Sequence, residues 1–175
     1  MLEDQALDPA IHDRQGFGCG VPSLDEYLRR FAEQHRRRGI SSIYVLTESS
    51  QPERILGYYT LSAAEVDRQR LAEVERKKLP GYPVPCFRLG RLACRTDQRG
   101  LGIGKLLLGC AVDRCLKARR QVAAYALLVD AKDDVAKAFY EHFGFKTFQD
   151  APLTLSLLLG RWRGARAPLR DASVD

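Results

Sequence analysis

The chain has 175 residues, enough to bury a core without disulfides or metals, and it suits one domain over residues 1–160 rather than two. No apolar run reaches membrane-spanning length, and MLEDQALDPA places acidic residues where a secretory leader is basic and then apolar, so a soluble cytoplasmic protein that meets no membrane is expected. The formal charge is +6, with basic residues gathered at 35–38, at 76–78, at Arg119 and Arg120, and at Arg161, Arg163, Arg166 and Arg170; a soluble basic surface and an anionic partner larger than one phosphate both fit.

The first patterned segment is FGCGVPSLDEYLRRFAEQHRRR. Ser23 can cap a helix with Glu26 as its capping-box partner, and Pro22 stops the helix from starting earlier. Leu24, Tyr27, Leu28 and Phe31 fall at i, i+3, i+4 and i+7, so they predict one apolar face. The helix closes on Arg36, Arg37 and Arg38 before Gly39, a placement that complements the helix dipole and also leaves three candidate nucleic-acid contacts.

Residues 40–47 and 55–66 read as two strands of a hairpin, and 67–78 as a short exposed helix or ordered loop. Prolines 80, 83 and 85 keep the chain extended until Cys86, where the next strand is expected to begin. After it comes RGLGIGK, with Arg99, Gly100, Leu101, Gly102, Ile103, Gly104 and Lys105. Alternate glycines let backbone approach an anion without Cβ obstruction, and the helix that follows supplies unpaired N–H groups. Glycines at this density also end strands that bind nothing, so the loop alone leaves both readings open.

A helix is expected from Ile103 to about Arg120, then a doubly covered strand over 123–129. A second amphipathic helix over 133–143 carries Val135, Ala136, Phe139 and Phe143 on one side and stops at Gly144. Phe139 suits the core, which leaves Tyr140 on another face. Segments 145–148 and 153–159 pair as a last hairpin, and 161–175 reads as a basic, flexible tail. Five cysteines (Cys19, Cys86, Cys94, Cys110, Cys115) are odd in number and form no C-x-x-C pair, so reduced thiols are expected and no metal site.

Strand, R-G-L-G-I-G, helix, apolar strand and a helix ending AFYEHFGF resemble the GNAT acyltransferase superfamily. The resemblance implies a mixed α/β (α+β) fold, a central mixed, mostly antiparallel sheet flanked by helices. It also implies acetyl-CoA as co-substrate, its pyrophosphate held by backbone N–H groups of a motif that maps onto Arg99, Gly102 and Gly104. The aromatic-Tyr-x-x-x-Gly-Phe signature maps onto Phe139, Tyr140, Gly144 and Phe145. Where many members carry Asn near the start of the last helix, Asp133 stands here. FGCGVPSLDEYL, GYYTLS, LGRLA and ALLVDAKDDVAKAFYEHFGF are more narrowly similar to the GNAT toxins of bacterial toxin-antitoxin pairs. That likeness implies acetylation of the α-amino group on charged tRNA, arrest of translation, and a ribbon-helix-helix antitoxin as partner. A homodimer is expected as well, because a tRNA is wide beside one small domain.

The resemblance distributes roles. Leu92, continued by Ala93 and Cys94, stands where the family has a bulged strand whose backbone N–H meets the oxyanion. Tyr140 is the general acid for the leaving thiolate, a phenol at about 10 facing a thiol at about 8.5. Arg99 neutralises pyrophosphate, and Lys105 in the first helical turn makes sense beside a bound anion. The amine of an aminoacyl ester is already largely neutral near pH 7, so no strong base is required, although Glu141 and His142 can act through water. Two other readings stay open: a GNAT enzyme for a free small amine or a protein N-terminus, and an acyl-CoA-binding regulator without chemistry.

Overall fold

The computed structural model describes residues 1–162, so most of the expected tail, 163–175, lies outside the described residues. The described residues form seven strands: β1 (Leu2–Ala6), β2 (Ser42–Glu48), β3 (Gly57–Val66), β4 (Val84–Cys94), β5 (Ala126–Asp130), β6 (Lys146–Thr147) and β7 (Thr154–Leu158). They form one mixed, mostly antiparallel sheet in the order β1-β2-β3-β4-β5-β7-β6, the architecture expected from the sequence. The helices are α1 (Pro22–Glu26), a π-helical turn (Tyr27–Phe31), α2 (Ala32–Arg37), the short α3 (Glu73–Arg76), α4 (Ile103–Ala118) and α5 (Asp134–His142).

The chain forms two compact units. The first is Met1–Thr60 with Arg91–Cys110; the second is Leu61–Gly90 with the described residues from Ala111 on. In the first, Phe17, Tyr27, Leu28, Ala32, Ile43, Val45, Ile55, Tyr58 and Ala93 make a continuous core. Each large apolar side chain buried this way contributes about 1.5–3 kcal/mol. β1, which the sequence did not announce, pairs antiparallel with β2 from Leu2↔Glu48 to Ala6↔Tyr44. LEDQA lacks apolar alternation because an edge strand with charged residues needs only a neighbour's open edge, and its charges deter further pairing.

The first helix starts two residues earlier than expected, capped at Val21 and not at Ser23. Pro22 occupies its first turn behind an extended Val21, and Ser23 makes no capping bond. Proline at this position loses no hydrogen bond and arrives with helical φ, so a side-chain cap is dispensable. Glu26 pairs with Arg30 at 2.8 Å instead of closing a capping box. The π turn then inserts one residue into the helical phase, which buries Ala32 and leaves Phe31, predicted for the core, 41% exposed.

In the second unit, Val66, Leu71, Val84, Cys86, Ala126, Leu128 and Phe148 pack together. β5 runs parallel to β4 over Phe87↔Leu127 to Leu89↔Val129 and antiparallel to β7, and all its residues but Asp130 are buried, as a doubly covered strand requires. β4 begins at Val84, ahead of the expected Cys86. α5 opens on Asp133, whose carboxylate accepts from the Ala136 N–H at 2.8 Å, so this side chain is spent as a helix cap. The apolar face of α5 also differs from expectation: Val135 is 80% exposed and Tyr140, assigned away from the core, is the buried residue. Gly144, at φ 93°, turns the chain so that Phe145 meets the Tyr140 ring at 5.4 Å, a contact that helical periodicity cannot contain.

Candidate active site

The glycine-rich loop lies in the first unit. Gly100 and Gly102 hold φ of 77° and 80°, and a Cβ on either would meet nothing within 4 Å, so what glycine supplies is the backbone conformation and an open approach. The first backbone bond of α4 joins the Leu106 N–H to the Gly102 carbonyl at 3.0 Å. The N–H groups of Gly102, Ile103, Gly104 and Lys105 therefore have no carbonyl partner among the described residues and end a helix of 16 residues with no acidic side chain in its first turn. Lys105 is exposed there, a cation set against the dipole.

The loop is anchored from behind. The Thr96 N–H and hydroxyl both donate to the Gly18 carbonyl, at 2.9 and 3.1 Å, and the Arg99 guanidinium donates to the Cys19 carbonyl. Part of Arg99's donor fork is thus used within the protein. The rest of its charge remains beside the loop.

β4 continues through Gly90–Cys94 after its last pair with β5 at Leu89. Ala93 is buried, and its carbonyl comes so near Gly57 that a Cβ there would stand 2.9 Å away; Leu92 and Cys94 are half-buried on the opposite phase. Burial pushes the Cys94 thiol up, against the pull of Arg99, so the group stays protonated near neutrality. Arg91, on the phase of Leu89 and Ala93, lays its guanidinium 3.4 Å from the centre of the Tyr27 ring. Sequence reasoning passed over it, although an arginine at an inward strand position was the available signal.

Tyr140 belongs to the second unit. It is 7% exposed, with its ring against Phe139 at 5.2 Å and Phe145 at 5.4 Å, and its hydroxyl has no hydrogen-bond partner among the described residues. Burial pushes the phenol up to about 12. Glu141 and His142 are exposed on the same helix.

The arginines that end α2 are mostly neutralised locally. Arg36 and Arg37 both donate to Glu33, at 2.8 and 3.0 Å, and Arg36 holds the Glu33 carboxyl down to about 2. Arg38 has no ion pair among the described residues. No group of three or more His, Cys, Asp or Glu side chains among the described residues is placed to hold a metal ion. No described helix is long and apolar enough to cross a membrane.

The sequence profile of the acetyltransferase (GNAT) domain matches residues 41–147. A tRNA-acetylating toxin of Mycobacterium tuberculosis is 36% identical over 159 residues, covering 91% of this chain and 92% of its own. The structure of AtaT complexed with acetyl-methionyl-tRNAfMet superposes with a TM-score of 0.85 at 28% identity, over 91% of this chain and 96% of that one. A tyrosine-to-phenylalanine variant of AtaT, bound to the C-terminus of the antitoxin AtaR and to acetyl-CoA, superposes with a TM-score of 0.78 at 25% identity, over 91% and 94%.

Proposed function

The chain belongs to the GNAT acetyltransferase family, and from that footing we propose that it is a cytoplasmic toxin that moves the acetyl group of acetyl-CoA onto the α-amino group of the amino acid on charged tRNA. Translation stops because an acetylated amine cannot attack the ester that carries the growing peptide. A cognate antitoxin of the ribbon-helix-helix type neutralises it, and the enzyme works as a homodimer whose single GNAT domain spans residues 1–160. The observation that carries the reading is the near-full-length likeness to a tRNA-acetylating toxin, together with a loop whose open glycines and unpaired N–H groups fit a pyrophosphate.

The roles follow from the chemistry. The N–H groups of Gly100 and of Gly102 to Lys105 receive the pyrophosphate of acetyl-CoA, with the side chains of Arg99 and Lys105 adding positive charge, whereas the Leu101 N–H, expected to join them, donates to the Gln98 carbonyl at 3.4 Å. The backbone of Leu92, within the strand Leu92–Cys94, donates to the oxyanion that forms when the amine attacks the thioester carbon. Tyr140 gives its proton to sulfur as the C–S bond breaks. A phenol at about 12 would transfer uphill by roughly 5 kcal/mol to a solvated thiolate whose thiol titrates at about 8.5. Desolvation of the leaving thiolate raises its affinity for the proton and narrows the mismatch, as burial does for the Cys19 and Cys115 thiols, pushed up to about 11 and about 12. A leaving thiolate desolvated to that degree matches the phenol, and no covalent step through Cys94 is needed. Arg36, Arg37 and Arg38 contact the RNA backbone, Arg38 first because it is not engaged by Glu33.

The test is incubation of wild type and Tyr140→Phe with labelled acetyl-CoA and total charged tRNA, followed by nuclease digestion and mass spectrometry of the aminoacyl-adenosines. Acetylated aminoacyl-adenosine from wild type and its near loss in the variant are expected. Label on free amines or protein N-termini, with none on RNA, would refute the toxin reading.

A further inference from the structure

The arginines along and just after β4 have different fates. Arg88 reaches Asp130 at 2.6 Å, Arg95 reaches Asp97 at 3.3 Å, and Arg99 donates to the Cys19 carbonyl. Arg91 has no ion pair and no hydrogen bond among the described residues, yet it is only half exposed and sits on the inward phase of the strand. A guanidinium in that position loses hydration without gaining a carboxylate or any other hydrogen-bond acceptor among the described residues.

Its setting is nevertheless built. The guanidinium lies 3.4 Å from the centre of the Tyr27 ring, well inside the roughly 6 Å reach of a cation–π contact. Tyr27 is 4% exposed, its hydroxyl is hydrogen-bonded to Nδ1 of His35 at 3.0 Å, and the His35 ring meets its edge at 5.2 Å. The platform therefore cannot swing away. Tyr27 also opens the π turn, the one place where this helix departs from α geometry, and such turns concentrate at functional sites. One face of the guanidinium is stacked, and its planar fork of N–H donors is left unpaired, the arrangement that meets a phosphate with two parallel hydrogen bonds.

We propose that Arg91, held flat on Tyr27, is the phosphate reader of the acceptor strand: it binds the phosphodiester that joins the last two nucleotides of the aminoacylated RNA. This rests on the tRNA reading above. Arg91 is the chain neighbour of Leu92, the residue assigned to the oxyanion, and that phosphodiester is the anion nearest the reacting ester in the substrate. The other phosphate source, the pyrophosphate of acetyl-CoA, already has the glycine-rich loop.

Two synthetic substrates separate the possibilities: an aminoacyl ester of adenosine, which has no phosphate, and the same ester on cytidylyl-adenosine, which has one. Wild type is expected to prefer the dinucleotide ester, and Arg91→Gln to cut that preference about tenfold to a hundredfold through KM, the range for a charge-assisted contact. On charged tRNA the same variant lowers the salt slope of log(1/KM) by about 0.7, the release expected for one single-strand phosphate. Arg91→Lys restores the slope and only part of the preference, because it returns the charge without the fork. Equal preference in wild type and Arg91→Gln, or a rise in KM for acetyl-CoA in place of KM for the RNA ester, overturns the assignment while leaving the toxin reading intact. Failure of wild type to acetylate either ester, with free amines acetylated, overturns both. A far-ultraviolet spectrum and melting curve equal to wild type in both Arg91→Gln and Arg91→Lys exclude misfolding as the cause of any loss.

Discussion

Tyr140→Phe removes one oxygen and little else. The ring keeps its contacts with Phe139 and Phe145, and the lost hydroxyl bonds to no described residue, so folding stability near neutral pH is expected to change by no more than about 0.5 kcal/mol. For a chain of this size that is a shift of Tm by about 2 °C or less. Activity behaves differently, because general acid catalysis contributes about 10²–10⁴-fold, or roughly 3–5 kcal/mol of barrier. In stopped assays kcat falls by that factor while KM for acetyl-CoA stays put, the pattern of an interaction made only in the transition state. Alkaline pH gives a second readout. The folded phenol titrates at about 12 against an ordinary 10, so its protonated form is favoured by the fold. The stability this represents is complete below pH 10 and is lost as pH rises through 12, by which point wild type has lost about 2 kcal/mol relative to neutral pH, while the variant, with no phenol to ionise, loses none on this account. Below pH 10, any rising limb of kcat belongs to the substrate amine and persists in the variant. A variant with unchanged kcat would refute the general-acid role; a limb near pH 8 that disappears in Tyr140→Phe would show that the phenol is not held high by burial and acts as a base.

Three further outcomes follow from the same geometry. Gly102→Ala meets no steric obstacle but must hold φ near 80°, which costs about 1–2 kcal/mol, and it raises KM for acetyl-CoA as the N–H groups of the loop turn away; binding calorimetry with acetyl-CoA checks this. Gly57→Ala places a Cβ 2.6 Å from a Leu107 methyl and 2.9 Å from the Ala93 carbonyl, so thermal denaturation shows a loss of about 1–3 kcal/mol. Glu33→Gln releases Arg36 and Arg37, so tRNA affinity rises at low salt and falls more steeply as salt is added. In wild type that pairing is complete above pH 4.5 and lost as pH drops through about 2, and because it lies near the surface its stability contribution stays within about 1 kcal/mol.

Segments that carry their own pattern could be read from the chain alone. β2, β3, β5 and β7 are apolar runs bounded by turn residues, and α4 follows directly on glycines whose positive φ the motif itself implies. What escaped was set elsewhere in the chain. β1 exists because β2 offers an open edge, and nothing in LEDQA says so. The π turn changes which residues face the core without leaving a compositional trace, which is why Phe31 and Ala32 exchange roles. Tyr140 is buried by a ring beyond the Gly144 turn, a contact five residues along that helical periodicity does not include.

The arginine run at 36–38 stands out in the sequence, yet Glu33 three and four residues earlier takes up Arg36 and Arg37, as helical spacing allows. Arg91 belongs to no run, lying three residues after Arg88 and four before Arg95, and among the described residues it keeps an unpaired guanidinium on a fixed aromatic face. Local density of charge therefore measures how readily cations find partners within the protein. A guanidinium kept from every carboxylate, and stacked so that it cannot wander to one, retains its hydrogen bonds for a ligand. That difference makes the isolated arginine the stronger determinant of RNA affinity, and the salt slopes of Arg91→Gln and Glu33→Gln, which move in opposite directions, measure it directly.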